Sequence, residues 1–213
     1  MTEHPSHPLF AAVYDPALTL IERPILHPHR RWLVDALEGR VLDLGAGTGA
    51  MFPPLAMDAE SADSIDLHAI EPDPHMRRRA RRRARRLDLE VELVAGRAEA
   101  LPYADESFDA VLAAMVFCTI ADVDAALAEV ARVLRPNGEL RVLEHVADVG
   151  WRRRVQETLA PVWKRAAGGC HLHRETGRVL AEHDAFEPET LERGAVGITP
   201  VRPFVRGTLR RRA

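Results

Sequence analysis

The chain has 213 residues, a formal net charge of −3, 46% hydrophobic residues and only 5% aromatic ones. That is enough for one domain with a full core and too little for two. It suits a helix-and-sheet domain better than an aromatic-rich β-sandwich, and it gives no reason to expect a polyanionic partner. Cys118 and Cys170 lie far apart without metal-ligand spacing, which fits a reducing cytoplasm. No basic-then-apolar leader is evident, and no apolar run approaches the roughly 18 residues that cross a bilayer, so a soluble, cytoplasmic protein is expected.

Residues 1–38 read as an N-terminal lid or helical segment, with one apolar stretch, FAAVYDPALTLIE, that contains Tyr14 and Asp15. Within it, HRRWLVDALEG (29–39) has helical spacing at Trp32, Leu33, Ala36 and Leu37, with Gly39 as a stop. Residues 39–213 then form one domain in which strand and helix alternate. Short apolar runs at 40–45, 64–71, 89–96, 108–117 and 138–147 predict strands, and the stretches 48–58, 74–87 and 122–135 predict helices. A long helix over 150–167 follows, then GGCHLHRETGRVLAEHD, then two strand-like stretches near 186–197 and 200–210 that can pair as an antiparallel hairpin at one edge. The alternation predicts an α/β doubly wound, mostly parallel sheet.

The first strand ends in VLDLGAGTGA, with glycines at 45, 47 and 49. Such a turn lets the backbone bend tightly and approach a ligand at the carboxyl end of the sheet, opposite a helix N-terminus. GAGTGA formally satisfies the dinucleotide pattern, which would make the protein a nicotinamide-dependent oxidoreductase. Asp43, however, stands two residues before the first glycine, where its charge would repel a pyrophosphate and favour an ammonium.

Further along, HAIEPDPHM places Glu71 at the end of the second strand, AEALPYADESFD follows the third, and LRPNGEL leads into the fifth. The set D-L-G-x-G-x-G, E-P-D, A-E-x-L-P-x-x-D-x-S-F-D and L-R-P-x-G resembles the class I S-adenosylmethionine-dependent methyltransferases over about residues 39–147. The resemblance implies a seven-stranded, Rossmann-like methyltransferase sheet with an antiparallel edge strand, and S-adenosylmethionine as cofactor. It puts Asp43, Gly45, Ala46 and Gly47 around the methionine moiety, Glu71 on the ribose diol and Pro72 beside the adenine. Ala98 and Glu99 go to the adenine edge, with Arg97 standing where many members are acidic, and Met115 goes near the transferable methyl.

VFCTI (116–120), LEHVA (143–147), Pro161 with Trp163, and GCHLHRET (169–176) resemble, in order, the methyltransferase-like thiol S-methyltransferases. That likeness implies a small thiol or sulfide acceptor, with a quinone or a phospholipid headgroup as the alternative. His145, at the end of the fifth strand, is the candidate catalytic base; packing is the competing role. Cys170, His171 and His173 give a crowded, incomplete set for zinc, so no metal is expected. The run RRRARRRARR (77–86) leaves Met76, Ala80, Ala84 and Leu87 as one apolar stripe and covers the other faces with arginine. It reads as a solvated face or a patch for an anionic membrane; nucleic acid is not expected, since no recognition motif accompanies it.

Overall fold

The computed structural model describes residues 25–57, 64–195 and 200–212. Tyr14 and Asp15 therefore lie outside the described residues. Seven strands form one sheet in the order β3-β2-β1-β4-β5-β7-β6. They are β1 (Gly39–Leu44), β2 (Ile65–Ile70), β3 (Glu92–Val94), β4 (Phe108–Ala114), β5 (Leu134–His145), β6 (Phe186–Ala195) and β7 (Pro203–Arg211). The helices are α1 (His27–Val34), α2 (Phe52–Met57), α3 (Pro74–Arg86), α4 (Val123–Val133), α5 (Gly150–Ala166) and α6 (Thr176–Glu182).

Strands β1 to β5 pair in parallel. Their central residues, such as Val41–Leu44 and Ala110–Ala113, are buried without alternation, because helices cover both faces of the sheet. Two cores result. Leu42, Phe108, Val111, Phe117, Leu127 and Leu140 pack on one face. Leu33, Val41, Phe52, Ala80, Leu112 and Leu143 pack on the other. Leu33 of α1 is fully buried there, and Arg141 Nη1 of β5 holds the end of α1 through the Leu33 and Asp35 carbonyls at 3.1 and 2.6 Å.

The arginine-rich stretch folds as expected. Asp73 caps α3 by accepting from His75 N at 2.7 Å and Met76 N at 3.2 Å, with Pro74 in the first turn. Only Met76, Ala80 and Ala84 of this helix are buried. Three elements differ from the sequence expectation. The helix expected over 48–58 starts at Phe52, after the glycine turn has used residues 45–51, and its two prolines sit in the first turn where they are tolerated. The strand expected over 89–96 keeps three residues at the sheet edge. The Pro136-Asn137-Gly138 turn is absorbed into β5 as a bulge: the pairing jumps from Phe108↔Leu134 to Ala110↔Glu139, and Asn137 takes φ 63°.

The two C-terminal strands form the expected antiparallel hairpin, with the later one inside: β7 pairs with β5, and β6 forms the edge. Among the described residues no helix is long and apolar enough to cross a membrane.

Candidate active site

The strand order reverses between β1 and β4, so their carboxyl ends open a crevice between the turns that follow them. The β1 turn is built from residues that a side chain would disrupt. Gly45 sits at φ 67°, and a Cβ there would run into Val116 Cγ2, so the turns after β1 and β4 touch through a missing side chain. Gly47 sits at φ 58°, and a Cβ there would find nothing nearer than the Gly45 carbonyl at 3.9 Å. The space over Gly47 is open, and a ligand can reach its backbone.

Glu71 locks this turn to the end of β2. Its Oε2 accepts from Gly47 N at 2.9 Å and its Oε1 from Asp73 N at 2.8 Å, while Ala46 N donates to Ile70 O at 3.0 Å. Burial raises the Glu71 pKa, against the two backbone donors that favour its charge. Arg77 Nη1 secures the same loop through the Glu71 and Pro72 carbonyls at 2.6 and 3.1 Å. Asp43 is buried behind the turn, and its Oδ2 has no hydrogen-bond partner among the described residues. Burial pushes its pKa up to about 7; Arg30 opposes that rise and Glu71 adds to it. A buried carboxylate oxygen without a donor, on the strand that leads into the open Gly47 turn, fits the ammonium of a methionine moiety.

Ala98 is buried in the separate turn after β3, and Glu99 pairs with Arg97 at 3.3 Å. Burial works against the charge on Glu99, but its backbone hydrogen bond and Arg97 hold the pKa below the usual carboxylate range. Arg132 and Glu129 of α4 secure the stretch that follows: Arg132 donates to the Tyr103 and Leu101 carbonyls at 2.8 and 3.1 Å, and Glu129 accepts from Leu101 N at 2.7 Å. Met115 follows β4 at φ 59°, its N–H donating to Leu143 O at 2.7 Å, a backbone strain placed where the crevice opens.

The β4–β5 side is built differently. Glu144 is fully buried and accepts from the N–H groups of Val116 and Phe117, and burial pushes its pKa up to about 7. Next to it, His145 Nε2 lies 3.0 Å from Cys170 Sγ, while Nδ1 is buried with no partner among the described residues. Burial disfavours a charge on His145, but Cys170 and Glu144 outweigh it and raise the pKa. The Cys170 thiol is pulled down by its hydrogen bond with Cys118, against burial, and further by His145 and Trp163. The hydrogen bond with Cys170 and burial push the Cys118 thiol up. Arg174 ties this side together by donating to the carbonyls of Phe117 and Ile120, and His171 N donates to Cys118 O at 2.8 Å.

The sequence points to His145 and Cys170 but not to their meeting with Cys118, nor to Arg30 beside Asp43 or Glu144 as a brace. Arg174, expected to pair with Glu175 or line the pocket, instead holds the Phe117 and Ile120 carbonyls, while Glu175 pairs with Arg153 and Arg178. Glu144 carried a weak signal: it follows the apolar pair Val142 and Leu143 at the buried carboxyl end of β5. Of the crowded C-H-x-H set, Cys170 alone joins the cluster, in company with residues from two other elements.

A methyltransferase-domain family model matches residues 42–142. The human thiol S-methyltransferase TMT1B is 33% identical over 177 residues, which are 78% of this chain and 68% of that protein. A demethylmenaquinone methyltransferase from Thermus thermophilus is 43% identical over 119 residues, covering 54% of this chain and 53% of that protein. A solved S-adenosylmethionine-dependent methyltransferase from Thermotoga maritima superimposes with a TM-score of 0.68, over 95% of this chain and 97% of that one, at 24% identity. These likenesses meet the crevice geometry at one conclusion: the chain belongs to the class I S-adenosylmethionine-dependent methyltransferases, related to the thiol S-methyltransferases, and S-adenosylmethionine is its cofactor.

Proposed function

We propose that the protein methylates a small thiol or hydrogen sulfide. The observation that carries the reading is the acceptor side of the crevice. There the segment 169–176, which resembles the thiol methyltransferases, brings Cys170 to within 3.0 Å of His145 at the end of β5. The likeness to the human thiol S-methyltransferase extends over 78% of the chain and supports the same choice.

Bound in the crevice, the cofactor supplies an electrophilic methyl group on a sulfonium sulfur. The chain's own part is to bind and orient. Asp43, ionised, answers the ammonium of the methionine end, and Gly45, Ala46 and Gly47 offer backbone without side-chain bulk. Glu71 has lone pairs left beside its two backbone donors and takes the ribose hydroxyls, with Pro72 against the adenine and Ala98 and Glu99 at its edge. Met115, held at φ 59°, borders the place where the methyl is passed on.

The acceptor must lose a proton to become a thiolate, and alignment of the two partners supplies much of the acceleration. His145 is the group at hand to take that proton or to organise its removal. The N-terminal segment 1–38 is the proposed cover, and the cytoplasm the proposed compartment.

A second reading is favoured by the 43% identity to the Thermus demethylmenaquinone methyltransferase: a quinone acceptor. That match covers 54% of this chain, so it speaks more for the cofactor machinery than for the acceptor side.

Methyl transfer from labelled S-adenosylmethionine decides between them, with sulfide and a short alkyl thiol run beside a demethylated quinone and phosphatidylethanolamine vesicles. Label in methanethiol or a methyl thioether is the expected result. Label in quinone or lipid, with none on thiols, overturns the reading.

A further inference from the structure

Three metal-binding side chains from three different elements meet behind the crevice. Cys118 comes from the turn after β4, His145 from the end of β5, and Cys170 from the loop between α5 and α6. Their donor atoms all lie within 4.8 Å of one another, and all three residues are buried. Among the described residues no fourth histidine, cysteine or carboxylate joins the group.

The scaffold around them is tied at every backbone. Glu144 accepts from the two N–H groups just before Cys118, and Arg174 donates to the carbonyls on either side of it. His171 N reaches the Cys118 carbonyl at 2.8 Å, and Cys170 N reaches Ala167 O at 3.1 Å. Trp163 Nε1 points at Cys170 Sγ from 3.3 Å, the kind of outer donor that steadies a thiolate ligand. His145 carries a buried ring nitrogen with no partner among the described residues, which a purely structural histidine would avoid.

Two thiolates and an imidazole select a borderline-soft ion over magnesium or calcium. Structural zinc sites close with four protein ligands. Catalytic ones stop at three, Cys₂His among them, and keep a position for water or substrate. We propose that Cys118, His145 and Cys170 bind one zinc ion, whose fourth position takes the sulfur of the acceptor thiol. The ion site stands on the three donors alone; its role in holding the acceptor rests on the thiol reading above.

The chemistry balances. The acceptor displaces a metal-bound water, its S–H bond gives way to a metal–sulfur bond, and the proton passes to that water and out to solvent. The sulfur lone pair then forms the new S–CH₃ bond as the methyl's bond to the sulfonium sulfur breaks, both electrons remaining on the leaving thioether. From a thiol acceptor the methylated product is a neutral thioether, a poorer ligand than a thiolate, and leaves the metal. In this arrangement His145 is a ligand, and the metal does the work assigned to a general base.

The test uses the full chain, reduced and stripped with a chelator, then titrated anaerobically with cobalt(II) as a spectroscopic stand-in for zinc. One equivalent should give a thiolate-to-cobalt charge-transfer band and the intense visible bands of a tetrahedral ion, all displaced by zinc. A short alkyl thiol should then shift the visible bands. Metal removal should lower thiol methylation on the order of a hundredfold, restored by zinc. Cys118→Ser and Cys170→Ser should each lower the charge-transfer band by about half or more, and the double variant should abolish it, with the circular dichroism unchanged; if any of them misfolds, the spectrum of the unaltered chain decides by itself.

A reduced protein with two titratable thiols and no charge-transfer band overturns the site, as does a Cys118–Cys170 disulfide that persists in place of metal. A cobalt spectrum indifferent to thiol, or thiol methylation undiminished by chelation, overturns the acceptor's place on the ion. A cobalt spectrum as expected, with labelled methyl found only on quinone, leaves the ion site standing while the thiol reading falls.

Discussion

The two sides of the crevice are made of different material. The β1–β2 side is mostly backbone: a glycine turn clamped by Glu71, with one buried carboxylate behind it. The β4–β5 side is made of side chains: Glu144 as an internal brace, then His145, Cys118 and Cys170 packed together. Both sides hold a fully buried carboxylate that burial pushes up to about 7. Glu144 gives Oε1 to the N–H groups of the neighbouring turn and leaves Oε2 without a partner among the described residues, as Asp43 leaves Oδ2. A backbone site serves any reaction of one cofactor, and a side-chain site can be rebuilt for each acceptor.

The comparison breaks most visibly at the glycines. Gly45→Ala forces a Cβ into Val116 and holds an alanine at φ 67°, so it disturbs both sides at once. We expect a stability loss of at least about 2 kcal/mol and no measurable turnover. Gly47→Ala faces open space and carries only the conformational penalty, roughly 1 kcal/mol. It should stay folded and lose cofactor affinity about tenfold or more, because the new methyl stands where the ligand approaches. Thermal denaturation beside calorimetry with S-adenosylhomocysteine separates the two. Equal loss of stability in both variants would mean that the turn is only structural.

A smaller effect sharpens the comparison of the carboxylates. Burial makes Asp43 hold its proton to about pH 7 in the folded protein, opposed by Arg30 and helped by Glu71, against an ordinary value of 3.8. The folded state therefore binds more protons than the unfolded state between these values, and stability of the ligand-free protein falls as pH rises from about 4 to about 7. An ammonium ligand needs the ionised form. Cofactor affinity should accordingly rise with pH over roughly 6 to 7.5, approaching tenfold per unit on the acid side. Asp43→Asn should bind more weakly, with that slope gone and the ligand-free melting temperature raised near pH 8. Calorimetry across pH with S-adenosylhomocysteine reads it, and an unchanged slope in the variant would remove Asp43 from the cofactor's charge balance.

How much of this was legible in the chain follows from sequence distance. The glycine turn, Asp43 and Glu71 announce themselves locally, because a ligand-binding turn needs its residue types within a few positions. The strand alternation likewise predicted the parallel sheet and the C-terminal hairpin. Cys118, His145 and Cys170 carry no such spacing. They meet only because β4 lies beside β5 and because the loop after α5 returns over both strand ends, which no local pattern encodes. The LRPNG turn was legible as a turn but not as a bulge inside β5, since bulging is decided by pairing with Phe108 and Ala110 on the neighbouring strand. The eleven-residue α4 and the thirteen-residue α3 were the easiest elements, each with an aspartate cap and an unbroken apolar stripe.

The smallest expected effect belongs to neither side, and that makes it a control on both. Helix α3 turns Arg82, Arg85 and Arg86 to solvent, roughly two and a half turns or more beyond the Asp73 cap that stands two residues from Glu71. Replacing Arg82 and Arg86 with glutamate changes exposed charges far from any buried contact, so stability should move by no more than about 0.5 kcal/mol. Turnover of a soluble thiol should stay within twofold of the parent, because neither residue reaches the crevice turns. If the helix also serves as a docking patch for anionic lipid, co-sedimentation with phosphatidylglycerol vesicles should fall in the variant, by about 1 kcal/mol for each charge lost near the surface. Vesicle binding that is absent from the parent chain would leave the arginines as a solvated face. Thiol turnover that collapsed in the double variant would mean that the cofactor half reaches further along α3 than the Glu71 clamp and the Arg77 ties to the loop carbonyls account for.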